Sequence, residues 1–151
     1  PRDIIRSDIA DGYMEMLIIT TSSPRIVFIK FIALCLNNTL ALVISMPFIV
    51  ISYSLSFDQI MLNLLSRFIL LVQISAISLF TGCIEGYFRS NTNLISFILF
   101  PLIIPSIIIS GMVIYSPESS YLYISILLGF AFIITPIILL LSGYLLKNLY
   151  N

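Results

Sequence analysis

The chain has 151 residues, of which 60% are hydrophobic and 9% charged, with seven Lys+Arg balancing seven Asp+Glu. Its mean hydropathy is +1.14. A soluble domain carries roughly 25% charged residues, so too few charges are present to solvate a globule, and the composition excludes a soluble fold. No basic cluster is present to bind nucleic acid.

The sequence opens on Pro1 and a charged segment, with neither an initiator methionine nor the basic head and apolar core of a signal peptide. We therefore expect the C-terminal portion of a longer protein. Residues Arg2–Ser22 form the most polar stretch and are not expected to span a membrane. At 100° per residue, Ile5, Ile9, Tyr13, Met16 and Leu17 gather on one side of a helix, and Asp8, Asp11 and Glu15 on another. Asp11-Gly12 within it breaks the helix and caps a second short one. Such a segment either lies in the headgroup region or docks a cytoplasmic protein, and its acids make anionic lipid a poor partner. We assign residues 1–25 to this amphipathic segment and 26–151 to a transmembrane region.

Ser23-Pro24 reads as an N-cap followed by proline at the first helical position, starting a helix that runs through Arg25 and Lys30 into the membrane. Four uncharged windows follow: Phe31–Phe57, Phe68–Ile84, Ser90–Pro117 and Ser119–Leu146. A spanning helix needs about 20 mostly apolar residues. Three windows exceed that, and the second reaches it by extending back to about Gln59 if Arg67 faces protein or snorkels to an interface. The expected fold is an all-α integral membrane protein with four spans. Arg2, Arg6, Arg25 and Lys30 precede the first span, Arg89 follows the second and Lys147 ends the fourth, while Asp58 and Glu118 sit in the other two connections. Basic residues collect on the cytoplasmic side, so both ends and the loop Glu85–Asn93 are expected there.

Prolines punctuate these spans. Pro47 is expected to kink the first, Pro101 and Pro105 to kink or break the third, and Pro136 to repeat the device in the fourth. A disturbed helix is tolerated in lipid only where neighbours re-satisfy the freed carbonyls, and Ser106 and Ser110 stand close in sequence to do so. Gly82-x-x-x-Gly86 permits close helix approach. Glu85 and Arg89 have the spacing of a surface ion pair. Cys35 and Cys83 read as free apolar thiols.

The sequence has no histidine, which removes the usual general base, metal ligand and commonest haem ligand together. It has no glycine-rich phosphate loop. No paired acids suggest a proton relay in the spans. We expect no catalysis and no metal, and no cofactor-binding residues are identified. The membrane region is left to act by packing, by moving or by holding apolar material.

Two stretches resemble a known family. Asp8-Ile9-Ala10-Asp11-Gly12-Tyr13-Met14-Glu15-Met16-Leu17, followed by Pro24 and Lys30, is similar to the D-x-x-D-G-x-x-E-x-L…P…K segment of the CcmB family, the membrane subunit of the ABC-type complex in cytochrome c maturation. Leu99-Phe100-Pro101-Leu102-Ile103-Ile104-Pro105, flanked by Ile98 and Ile108, resembles that family's double-proline stretch. The resemblance covers nearly the whole chain and is more specific at the prolines, because D-G-x-x-E-x-L also occurs in other type-2 ABC exporters.

The resemblance implies a six-helix permease of which these are the last four spans, with both termini cytoplasmic. It implies that Asp8, Asp11, Gly12, Glu15 and Leu17 touch a CcmA-like ATP-hydrolysing subunit. It also implies CcmC-like and CcmE-like haem-handling partners, a lipid bilayer and a possible second copy of the chain. ATP would then be bound by the partner, with haem as cargo and no cofactor on this chain. Two activities are attributed to the family, haem export and ATP-driven release of the haem-loaded chaperone. Where other members can carry a histidine, this chain has Leu34-Cys35, which favours mechanical coupling over a haem-conducting pore. The membrane is expected to be a bacterial inner membrane, or the mitochondrial membrane derived from it. A permease for polysaccharide, lipid or drug, and a non-transporting assembly scaffold, are the alternatives.

Overall fold

The four uncharged windows become four helices in a computed structural model that describes residues 23–88 and 93–149. Helix α1 runs over Ser23–Tyr53, α2 over Phe57–Phe88, α3 over Asn93–Tyr115 and α4 over Ser120–Leu149, with a short 3-10 turn at Pro117–Ser119. Helix α1 begins where Ser23-Pro24 announced it. Three helices are long and apolar enough to cross a membrane, over Pro24–Tyr53, Phe57–Glu85 and Ser120–Asn148. Helix α3 carries an apolar stretch at Ile103–Tyr115, and its 23 residues extend about 34 Å at 1.5 Å per residue.

Helices α2 and α4 form the most extensively packed pair, and α1 and α3 each lean on both of them. The core is correspondingly centred on α2. Ile26, Val27 and Leu34 of α1 meet Leu79 and Cys83 of α2 and Leu146 of α4. Ile69 of α2 meets Val113 of α3 and Ile124 and Leu127 of α4. The outside is apolar as well: Leu36, Leu40, Ile44, Phe48 and Ile51 of α1 and Phe132, Ile133 and Leu140 of α4 are exposed. Meanwhile Asn63, Ser66, Gln73, Ser75, Ser106 and Ser142 are buried. That inversion suits lipid, where apolar surface has no reason to hide and small polar side chains serve at helix contacts.

The turn between α1 and α2 falls inside the charge-free window Phe31–Phe57, so charge alone misplaces the first span's end. Two uncharged signals fix it. Ser54 takes a left-handed φ of 48° and stops α1 as a C-cap normally held by glycine. The backbone N–H of Ser56 then donates to Gln59 Oε1 at 3.0 Å, the N3-to-N-cap half of a capping box. At the other turn, Ser120 Oγ shares its proton between the Val113 and Ser116 carbonyls at 3.1 and 3.2 Å, bonding one end carbonyl of α3 and the carbonyl just beyond it.

Helix α1 continues through Pro47, α3 through Pro101 and Pro105, and α4 through Pro136. The expected help from serines takes another form. Ser106 Oγ has no partner, and Ser110 Oγ meets Ser66 Oγ on α2 at 3.3 Å. Ser110 therefore meets the neighbouring helix, and neither serine is seen bonded to the backbone of its own.

Candidate functional site

The five residues expected to couple to an ATPase, Asp8, Asp11, Gly12, Glu15 and Leu17, lie outside the described residues, as does Arg89. What the structure does bring together is a polar seam inside the bundle. On α2, Asn63, Ser66 and Gln73 fall within about 80° of one another at 100° per residue, and all three are buried. Ser66 meets Ser110 of α3 and Gln73 the backbone of α4, with Ser106 one turn from Ser110 and also buried.

The seam is incompletely satisfied. Ser66 Oγ donates to the Asn63 carbonyl at 3.1 Å, which leaves Ser110 Oγ as the donor across the 3.3 Å contact to Ser66. Gln73 Nε2 reaches the Leu127 carbonyl of α4 only at 3.5 Å, at the outer limit of a hydrogen bond. Gln73 Oε1, Asn63 Nδ2 and Ser106 Oγ have no partner, though all three residues are at most 2% exposed. Buried polar atoms left this way cost about 1–3 kcal/mol each. The polar contacts of α2 with α3 and α4 are thus few and partly unpaired, within an interface whose apolar side chains are closely packed. Elsewhere the helices are joined by a shorter bond, Asn38 Nδ2 of α1 donating to Ser75 Oγ of α2 at 2.9 Å.

Ser106 and Ser110 stood out in the sequence beside their prolines, whereas Asn63, Ser66 and Gln73 did not, because Asn, Gln and Ser carry no charge and sit among apolar residues. Their shared face on α2 was the available signal. Arg67 was noticed, and it resolves as a half-buried residue whose Nε donates to Asn63 Oδ1 at 2.6 Å.

The remaining residues of interest take structural places. Leu34 is packed in the core beside Cys83, and Cys35 is half-buried; both thiols are free. Gly82 is buried. Among the described residues no three of His, Cys, Asp and Glu gather closely enough to hold a metal. Each of three surface grooves is lined by a proline. Pro24 lines one between α1 and α4 of about 300 Å³, Pro136 one between α2 and α4 of about 470 Å³, and Pro47 one between α1 and α2 of about 470 Å³.

Apolar helices facing outward, enclosing a sparse polar seam, define an all-α integral membrane protein. The chain belongs to the CcmB family, whose model, described as CcmB protein, matches residues 2–142. It is thereby a membrane subunit of the ABC-type cytochrome c maturation or haem exporter complex, in which the permease is generally non-catalytic. Its relatives include the uncharacterized protein RP268 of Rickettsia prowazekii, 32% identical over 98% of this chain and 68% of that protein. Uncharacterized protein RC0356 of Rickettsia conorii is 31% identical over the same shares. No solved structure matches the chain.

Proposed function

We propose that this chain passes the work of a CcmA-like ATPase into helix movement in a bacterial inner membrane, and so drives release of a haem-loaded chaperone. Haem is the complex's cargo, ATP is bound by the partner, and this chain holds neither as a cofactor. CcmC-like and CcmE-like proteins are its haem-handling partners. The under-satisfied seam between α2, α3 and α4 carries this reading. An interface whose buried donors and acceptors are only partly paired loses little when it shifts by a fraction of a turn, because few good bonds are broken. A fully packed apolar interface would resist the same displacement.

The input is the segment before α1. Asp8, Asp11 and Glu15 are its acidic residues and, with Gly12 and Leu17, are the contacts we assign to the ATPase. The segment leads in sequence directly into α1, which bonds α2 through Asn38 and Ser75. A push on it is delivered to the helix that carries most of the seam. Pro47, Pro101, Pro105 and Pro136 are then the points at which α1, α3 and α4 yield, each lacking one backbone donor.

The test is made in the full-length protein co-expressed with its ATPase and chaperone partners. Asp11→Asn combined with Glu15→Gln is expected to leave the complex assembled on pull-down while ATP hydrolysis no longer supports holo-cytochrome formation. Unchanged holo-cytochrome yield and ATPase rate in the assembled double variant would mean that the chain is a scaffold and not a lever.

A further inference from the structure

Arg67 is the one charged residue in the interior of α2's apolar stretch between Asp58 and Glu85. It sits nine residues beyond Asp58, about 14 Å along the helix, at a depth where an unpaired guanidinium is costly. Among the described residues its hydrogen bond is the one to Asn63 Oδ1 at 2.6 Å, and no carboxylate pairs with it. A guanidinium has five N–H donors and no acceptor, and this bond uses the Nε edge alone. The adjoining Asn63 Nδ2, on a residue 1% exposed, is a further donor without a partner. The site therefore offers donors and positive charge, and what it lacks is an acceptor bearing negative charge.

Direction and surroundings identify the acceptor's source. Side chains on a helix lean toward its N-terminus, and the bond from Arg67 back to Asn63 places the guanidinium that way, toward the end of the bundle where α1 stops. It lies within electrostatic range of Tyr53, the last residue of α1. Tyr53 stacks edge-to-face on Tyr115, the last residue of α3, with ring centroids 6.3 Å apart and planes at 88°. Both tyrosines are exposed, and exposed tyrosine at helix ends marks headgroup level in a bilayer. On the same side, the apolar groove of about 470 Å³ between α1 and α2 is lined by Val43, Met46, Pro47, Val50 and Leu64. Leu64 is three residues from Arg67 and hence on its face of α2. A cationic donor directed toward headgroup level, beside an apolar groove, matches one kind of molecule.

We propose that Arg67, held by Asn63, binds the phosphate of a membrane phospholipid whose acyl chain occupies the α1–α2 groove. The lipid supplies the counter-charge that the described residues do not and fills the space between α1 and α2. This rests on the membrane reading of the fold and not on the coupling role above, so either can fail alone.

The full-length protein, purified in detergent and titrated with phosphatidylglycerol, is observed by native mass spectrometry and thermal melting. Wild type is expected to retain one lipid and to melt higher with lipid than without. Arg67→Ala is expected to bind about tenfold more weakly, the loss of one charge-assisted contact, whereas Arg67→Lys recovers part of the binding. Val50→Trp, which leaves Arg67 and Asn63 in place and fills the groove, is expected to weaken retention as well, which keeps the test decisive should Arg67→Ala fold poorly. Diacylglycerol, which has no phosphate, is expected to give no shift. Equal retention by wild type and Arg67→Ala, or binding of diacylglycerol as strong as that of phosphatidylglycerol, would overturn the assignment. So would finding that Arg67→Ala releases a partner protein while lipid binding stays unchanged.

Discussion

Replacing Gln73 by methionine keeps an unbranched side chain of similar length while removing both polar atoms. The bond forfeited is the Nε2 contact to the Leu127 carbonyl at 3.5 Å. Interhelical bonds of good geometry in membranes average about 0.6 kcal/mol, so this one contributes less. The atom relieved is Oε1, buried without a partner on a residue 2% exposed. Relief of such an acceptor is worth about 1–3 kcal/mol where the unfolded chain is in water, and less where the reference state is also in lipid. The difference is a net stabilisation of about 0.5–2 kcal/mol, a twofold to thirtyfold rise in the folded ratio. Reversible unfolding of the full-length protein in mixed micelles measures it. The same variant is expected to lower ATP-coupled holo-cytochrome yield, because a better-packed seam shifts less readily. Destabilisation by more than about 1 kcal/mol would mean that the Gln73 amide is fully bonded, and the seam would then be a structural lock.

Three further outcomes follow from the turns and the α1 contact. Ser120→Ala removes the shared bond to the Val113 and Ser116 carbonyls at 3.1 and 3.2 Å, of which Ser116 keeps the Ser119 N–H, and is expected to cost about 1 kcal/mol in the same unfolding measurement. Ser54→Gly relieves a φ of 48° and should raise stability by about 0.5–1 kcal/mol, with no change in ATPase coupling. A double-mutant cycle on Asn38→Leu and Ser75→Ala, which removes the 2.9 Å contact, is expected to give a coupling of about 0.6 kcal/mol. A value near zero would detach α1 from α2 as a path for movement.

Class, helix number and approximate span positions follow from composition, because about 20 consecutive apolar residues have few stable arrangements other than a membrane helix. The start of α1 was legible at Ser23-Pro24, since an N-cap and a first-turn proline act locally. The family was legible in Asp11-Gly12-x-x-Glu15 and in Pro101 and Pro105, which keep their identity whatever they pack against. The end of α1 was not found by charge, because Ser54, Ser56 and Gln59 stop and restart the chain through backbone geometry and neutral hydrogen bonds. Their Ser-x-x-Gln spacing was nonetheless written in the sequence.

Only the tertiary structure assigned partners. Sequence placed Ser106 and Ser110 near prolines of their own helix, and packing brought Ser110 against Ser66 of α2 and left Ser106 Oγ without a partner. Which face of an apolar helix meets protein and which meets lipid is nearly degenerate in hydropathy, because both surroundings are apolar. That choice was made by helix packing, which buried Asn63, Ser66 and Gln73 and left Leu40 and Phe48 outside. The long apolar stretches determined that this is a membrane protein. Which of their few polar atoms were left without a partner depended on how the four helices came together.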